Sequence, residues 1–172
     1  MTQVAHGELP SPTVPDAIKA PTGNEVFLVG HVSKVPGAGV QIYTCDGTKW
    51  VLPSVPRADL LDDAGKLIIK HFAGPTWQEV PNGSSVVAQK VGESPILGTD
   101  GNPTAIPWLL LKATKTTAGR GGHLLSDTTY IQRINTTGGL VPAAGECTTQ
   151  TAGTSKAVNY TADYYFYKAA KA

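Results

Sequence analysis

Four histidines, two cysteines and a scatter of carboxylates are the side chains of this chain that could do chemistry, and their spacing narrows what that chemistry is. His6, His31, His71 and His123 form neither a His-x-His nor a His-Glu-x-x-His pattern, so no metal site is expected. A serine could be combined with His71 and Asp163, but the Gly-x-Ser-x-Gly turn that exposes such a nucleophile is absent. Asp59, Asp62, Asp63, Glu79, Asp127 and Asp163 could supply a glycosidase pair. The three aspartates at 59–63 read as turn formers on a solvated face. Asp163 differs, because it stands mid-strand among Tyr160, Tyr164, Tyr165 and Tyr167, where an unpaired charge is costly. Arg133, inside another alternating run, is its expected partner in an ion pair that fixes sheet register.

Aromatic side chains offer the other kind of site. Trp50, Trp77, Tyr43 and Tyr165 are the candidates for lining a groove that stacks on sugars or packs a partner, whereas Trp108, inside an apolar run, reads as core. Trp77 follows the rigid corner Gly74-Pro75 and is expected at a rim, since proline cannot continue a ladder. His71 shares strand parity with Leu67 and Ile69, so it is expected to point inward as a hydrogen-bonded, neutral, structural residue.

Cys45 and Cys147 allow one intramolecular pairing or two separate buried thiols. Three glycosylation sequons, Asn82-Gly83-Ser84, Asn135-Thr136-Thr137 and Asn159-Tyr160-Thr161, favour the disulfide and a secreted protein. A start at Met1 without a signal peptide is read as a mature chain. The net charge of +1, from 14 basic and 13 acidic residues without a block of either sign, argues against a nucleic-acid partner. No apolar run reaches the roughly 20 residues that span a bilayer as a helix. No Gly-x-Gly-x-x-Gly opens a helix after a strand, so no cofactor is expected.

The elements that must position these residues are short strands. In 172 residues, 19 glycines and 13 prolines punctuate apolar runs, and helical periodicity is nowhere sustained. An extended, Pro-rich N-terminal arm over 1–21, with a short helical turn near Asp16 to Lys19, precedes a single β domain over 22–172. Strands are expected at 25–32, 40–45, 49–52, 67–73, 76–80, 84–91, 106–114, 128–135 and 158–167. Asp46-Gly47 is read as a hairpin turn joining the second and third of these. Arg57 to Ala64 is read as starting with a helical turn, Pro95 to Pro103 as a loop, and Ala118 to Gly122 as a mobile loop. So many short strands imply an antiparallel β-sandwich or barrel with long Gly/Pro-rich loops.

Several segments, in one order, are familiar. Gly39 to Cys45, His71 to Trp77, Ile106 to Leu111, Tyr130 to Thr136 with Gly138-Gly139, and Tyr160 to Tyr167 resemble the family catalogued as domain of unknown function 3455. The resemblance covers about residues 15 to 167 and implies a secreted protein of a kind made by fungi and some bacteria. It transfers no catalytic residue. The function expected is that of a secreted, non-catalytic binding protein, effector-like or hydrolase-inhibitor-like, whose partner is an extracellular protein or wall polysaccharide. The alternatives are a carbohydrate-active enzyme of the cell wall and a structural protein of a wall or spore coat.

Overall fold

The alternating runs form nine strands, each antiparallel to its neighbours. They are β1 (Asn24–Val32), β2 (Gly39–Thr44), β3 (Val55–Leu61), β4 (Leu67–Phe72), β5 (Thr76–Glu79), β6 (Ser85–Leu97), β7 (Pro103–Thr117), β8 (Thr128–Gly138) and β9 (Ser155–Ala169). The computed structural model describes residues 9–171 apart from Pro81. The first eight residues of the arm, His6 among them, and the proline of the Pro81-Asn82-Gly83 turn lie outside the described residues.

From β3 to β9 the chain meanders, each strand pairing with the next except across one gap. That gap, between β9 and β3, is filled by β1 and β2 together. β1 runs along Asp163–Ala169 of β9, and β2 continues in the same direction along Ser155–Asn159. On the other side β2 pairs with Val55–Ala58 of β3 and β1 with Leu60 and Leu61. β3 in turn pairs with β4 from Ala58↔His71 to Leu61↔Leu67, which closes the sheet on itself. The all-β expectation holds, and its barrel form is the one adopted.

Period-2 alternation decides which side chains the closed sheet encloses. Leu60, Ile69, Trp77, Val86, Ala88, Leu111, Ile131, Tyr164 and Phe166 come from seven strands and form one buried cluster, so it must lie inside. The opposite face of β7, β8 and β9 is also covered. Val14 and Ile18 from the arm pack there with Leu110 and Ile134, and with Trp108, Tyr130 and Tyr165 at the margin. The expected helical turn is a 3-10 turn at Asp16–Ile18. Gln132, fully buried, donates to the Ile18 carbonyl at 2.8 Å and accepts from the Tyr167 hydroxyl at 2.7 Å. Gly92 permits the arm's close approach, because a Cβ there would lie 2.2 Å from the Ala17 carbonyl oxygen.

Three expected local structures differ. Asp46-Gly47 does turn the chain, with the Asp46 carboxylate accepting from the amides of Thr48 and Lys49 at 2.8 Å. The return is only the single bridge Cys45↔Trp50, and the strand that pairs with β2 begins at Val55. Arg57 to Ala64 starts as β3 rather than as a helical turn, because Ala58 and Leu60 alternate inward and pair with β4. The expected loop at 95–103 narrows to 98–102, since β6 and β7 extend as a long, bulged hairpin around Pro95. The glycine-rich segment at 118–122 is tied down through the Arg120 amide, which donates to the Asn82 carbonyl at 2.9 Å.

Candidate functional site

Side chains do not fill the barrel evenly. At the level of Leu60, Ile69, Val86, Ile131 and Phe166 it is packed solid. One inward position further along, the same strands border a cavity of about 860 Å³ that opens to solvent past Ala73, Gly74, Lys90 and Glu93. His71 (β4), Trp77 (β5), Ala88 (β6), Leu109 and Leu111 (β7), Arg133 (β8) and Tyr164 (β9) line it, and Gln41 of β2 closes the ring. Pro53 on the β2–β3 connection, Pro56 near the start of β3 and Pro75 on the β4–β5 connection stand around it. Further along still, Tyr43, Trp50, Val158 and the Cys45–Cys147 disulfide form a separate buried cluster.

Trp77 and His71 are cross-strand partners, and their rings stack at 4.2 Å between centroids, with Tyr164 set edgewise against Trp77. His71 Nδ1 lies 2.9 Å from the Thr76 carbonyl. A carbonyl only accepts, so Nδ1 carries the hydrogen and Nε2 of the neutral ring is an acceptor. Burial holds the His71 pKa down to about 3, the Thr76 bond works against that, and the Arg133 cation adds to it. His71 is thus the neutral, hydrogen-bonded inward residue that its parity implied.

Arg133 is the cavity cation that no carboxylate faces. The β7–β8 ladder slips between Ala105 and Leu109, and this frees two β7 carbonyls from strand pairing. Thr136 donates to one, that of Ile106, at 2.6 Å. Arg133 donates to the other, that of Pro107, through Nε at 3.2 Å and Nη2 at 2.8 Å. No carboxylate pairs with Arg133 among the described residues. Two lining residues, Gln41 and Trp77, each bury a donor nitrogen, Nε2 and Nε1, without a hydrogen-bond partner among the described residues. Gln41 Oε1 is occupied, accepting from Ser54 Oγ at 2.7 Å.

The expected Arg133–Asp163 pair does not form, for a reason of register. Arg133 stands opposite Tyr164 and shares its inward face, while Asp163 stands opposite Ile134 and points outward. There Asp163 accepts from Asn135 Nδ2 at 2.8 Å and meets His31 Nδ1 at 2.7 Å. His31 Nε2 meets Asp63 at 2.7 Å, so the imidazole bridges the β3–β4 turn to β9. Partial burial disfavours its charge, but the two carboxylates outweigh that and raise its pKa above the usual 6.5. Nothing in the local sequence around His31 signals this cluster, whose members are 32 and 132 positions from it.

Of the four aromatic candidates, only Trp77 reaches the cavity, and it stands in the wall rather than at the rim, at 1% exposure. Gly74-Pro75 is the tip of a tight hairpin, so the chain re-enters the sheet at once. Tyr43 and Trp50 are buried against the disulfide, their polar atoms donating to the carbonyls of Gly139 and Ala143. Tyr165 faces the arm. The disulfide itself is present, with Cα atoms 5.4 Å apart. Among the sequon asparagines, Asn135 and Asn159 are exposed, whereas Asn82 is half-buried beside the 118–122 segment. Among the described residues no group of three or more His, Cys, Asp or Glu could hold a metal ion, and no helix is long and apolar enough to cross a membrane.

A family model described as "Protein of unknown function (DUF3455)" matches residues 30–168, which takes in all the cavity-lining positions. No curated protein and no solved structure matches the chain.

Proposed function

Because the chain belongs to the DUF3455 family, whose description supplies no activity, we propose from its geometry that it is a non-catalytic binding protein that holds a small molecule inside its barrel. One observation carries this reading. A closed barrel of this size can fill its interior with side chains or keep room for one ligand. Here about 860 Å³ is kept, within the range of small-molecule sites, with a mostly apolar lining and a few placed polar groups. The disulfide supports an extracytosolic setting, since such bonds persist in oxidising compartments.

The alternatives have less support. A glycosidase needs two carboxylates in one cleft, and the cavity lining holds one, Glu93, which contacts Lys90 at 3.5 Å. A polymerising structural protein needs a free sheet edge, and closure leaves no continuous one.

The test is titration of the intact protein with a neutral fluorescent probe, N-phenyl-1-naphthylamine. Saturable binding near one probe per chain is expected. Leu109→Trp, which places an indole in the cavity, should abolish it while the thermal transition persists. A folded wild-type protein that takes up no neutral probe would end this reading.

A further inference from the structure

We propose that the ligand is an anionic amphiphile, a molecule with an apolar body and one carboxylate, whose carboxylate sits on Arg133 and the free N–H groups of Gln41 and Trp77. This rests on the cavity being a ligand site and adds the chemistry of what enters it.

The argument is an inventory of donors and acceptors. A guanidinium carries five N–H groups, and Pro107 engages only Nε and Nη2. Of the rest, Tyr164 takes one contact, and none has a carboxylate partner among the described residues. Gln41 and Trp77, at 3% and 1% exposure, each bury a donor nitrogen with no acceptor. Buried donors are normally paired, and Arg133, only partly buried, has no counter-charge beside it. Lining residues on three strands, β2, β5 and β8, therefore carry donors without a full set of acceptors, and only one charged side chain of the lining lacks an opposite charge. Lys90 and Glu93, the other charged lining residues, already meet each other. A neutral ligand could accept from these donors but would leave the Arg133 charge uncompensated, and a cation would worsen it. A carboxylate offers about four lone-pair sites, accepts from an arginine fork in bidentate fashion, and neutralises the charge.

The apolar part follows from the rest of the lining. Val87, Ala88, Leu109, Leu111, Tyr164 and the Trp77 ring give a wall that rewards burial of hydrocarbon or aromatic surface. His71 does not compete as an anion site, because its neutral ring turns its only N–H to the Thr76 carbonyl.

Displacement of N-phenyl-1-naphthylamine by dodecanoate and by dodecanol, at pH 7.5 and low ionic strength, tests the proposal on the wild-type chain. Both should displace the probe, dodecanoate with roughly ten- to a hundredfold higher affinity, the fold-change expected of hydrogen bonds to a charged group. Arg133→Met should bring the two affinities to near equality, and Gln41→Leu should narrow the gap several-fold. If Arg133→Met does not fold, the wild-type comparison still decides. Equal displacement by acid and alcohol overturns the carboxylate assignment and leaves the cavity reading standing. No probe uptake at all overturns the cavity reading first.

Discussion

Replacing His71 tests whether burial in this wall keeps an imidazole neutral. In the fold its pKa lies at about 3, against 6.5 for the free side chain. The unfolded chain therefore binds more protons than the native one between these values, and stability falls as pH drops through that window. At pH 4.5 the unfolded imidazole favours its protonated form by about a hundredfold, while the native one stays almost wholly neutral. A hundredfold bias is worth about 3 kcal/mol, nearly all of it absent at pH 7.5. Urea unfolding of wild type and His71→Gln at both pH values isolates this one group, because carboxylate and His31 effects are common to both proteins. His71→Gln should be less stable at pH 7.5 through loss of the Trp77 stack, yet lose about 3 kcal/mol less than wild type on acidification. Stability curves that run parallel between pH 7.5 and 4.5 would refute the reasoning, since His71 would then titrate alike in both states.

Three further outcomes are expected. Cys147→Ser, by opening a bridge between residues 102 positions apart, should cost up to about 4–5 kcal/mol on the chain-entropy account, and a loss under about 1 kcal/mol in urea would contradict it. Gly92→Ala should cost about 1–3 kcal/mol by driving a methyl group into the Ala17 carbonyl, and should release the arm to limited proteolysis. His31 has a raised pKa, so its contribution is fully present below pH 6.5 and is lost as pH rises through the folded value; Asp63→Asn should lower that value in an NMR titration, and an unmoved one would show that the carboxylate does not act on it.

Local alternation carried most of the strands into view, because Val-, Ile- and Tyr-rich runs bounded by Gly and Pro leave little choice of period. β3 escaped because Pro56, Arg57 and Asp59 mask the inward pair Ala58 and Leu60. Closure escaped because it depends on β3–β4 and β1–β9 pairings that no local pattern encodes. The inward side of β4 was legible and placed His71 correctly. The same parity rule, applied to Ile131 and Arg133, would have turned Arg133 into the interior and away from Asp163. Trp77 sits in the wall and not at the rim because a positive φ at Gly74 makes Gly-Pro a hairpin tip, where the residue pair alone suggests an exit from the sheet. The cavity itself is a sum of small deficits, among them Ala88 and the β7 bulge, which only assembly reveals.

The way β9 lies across both β1 and β2 governs the order in which the molecule can form. Strands β3 to β8 can zip up hairpin by hairpin as they are synthesised, each contact lying near in sequence. β1 has almost no ladder of its own, only Leu60 and Leu61 of β3, until Ser155–Ala169 arrives with partners as distant as Asn24↔Ala169. Cys45 waits as well, because its backbone bonds run to Gly153 and Thr154, just ahead of that strand. Contacts of such separation are entropically late. Docking of β9 is therefore the step that closes the barrel, and it also brings Cys45 to Cys147 and sets the far wall of the cavity. A chain lacking β9 would present the bare flanks of β8 and β2 side by side, a template for pairing with its neighbours.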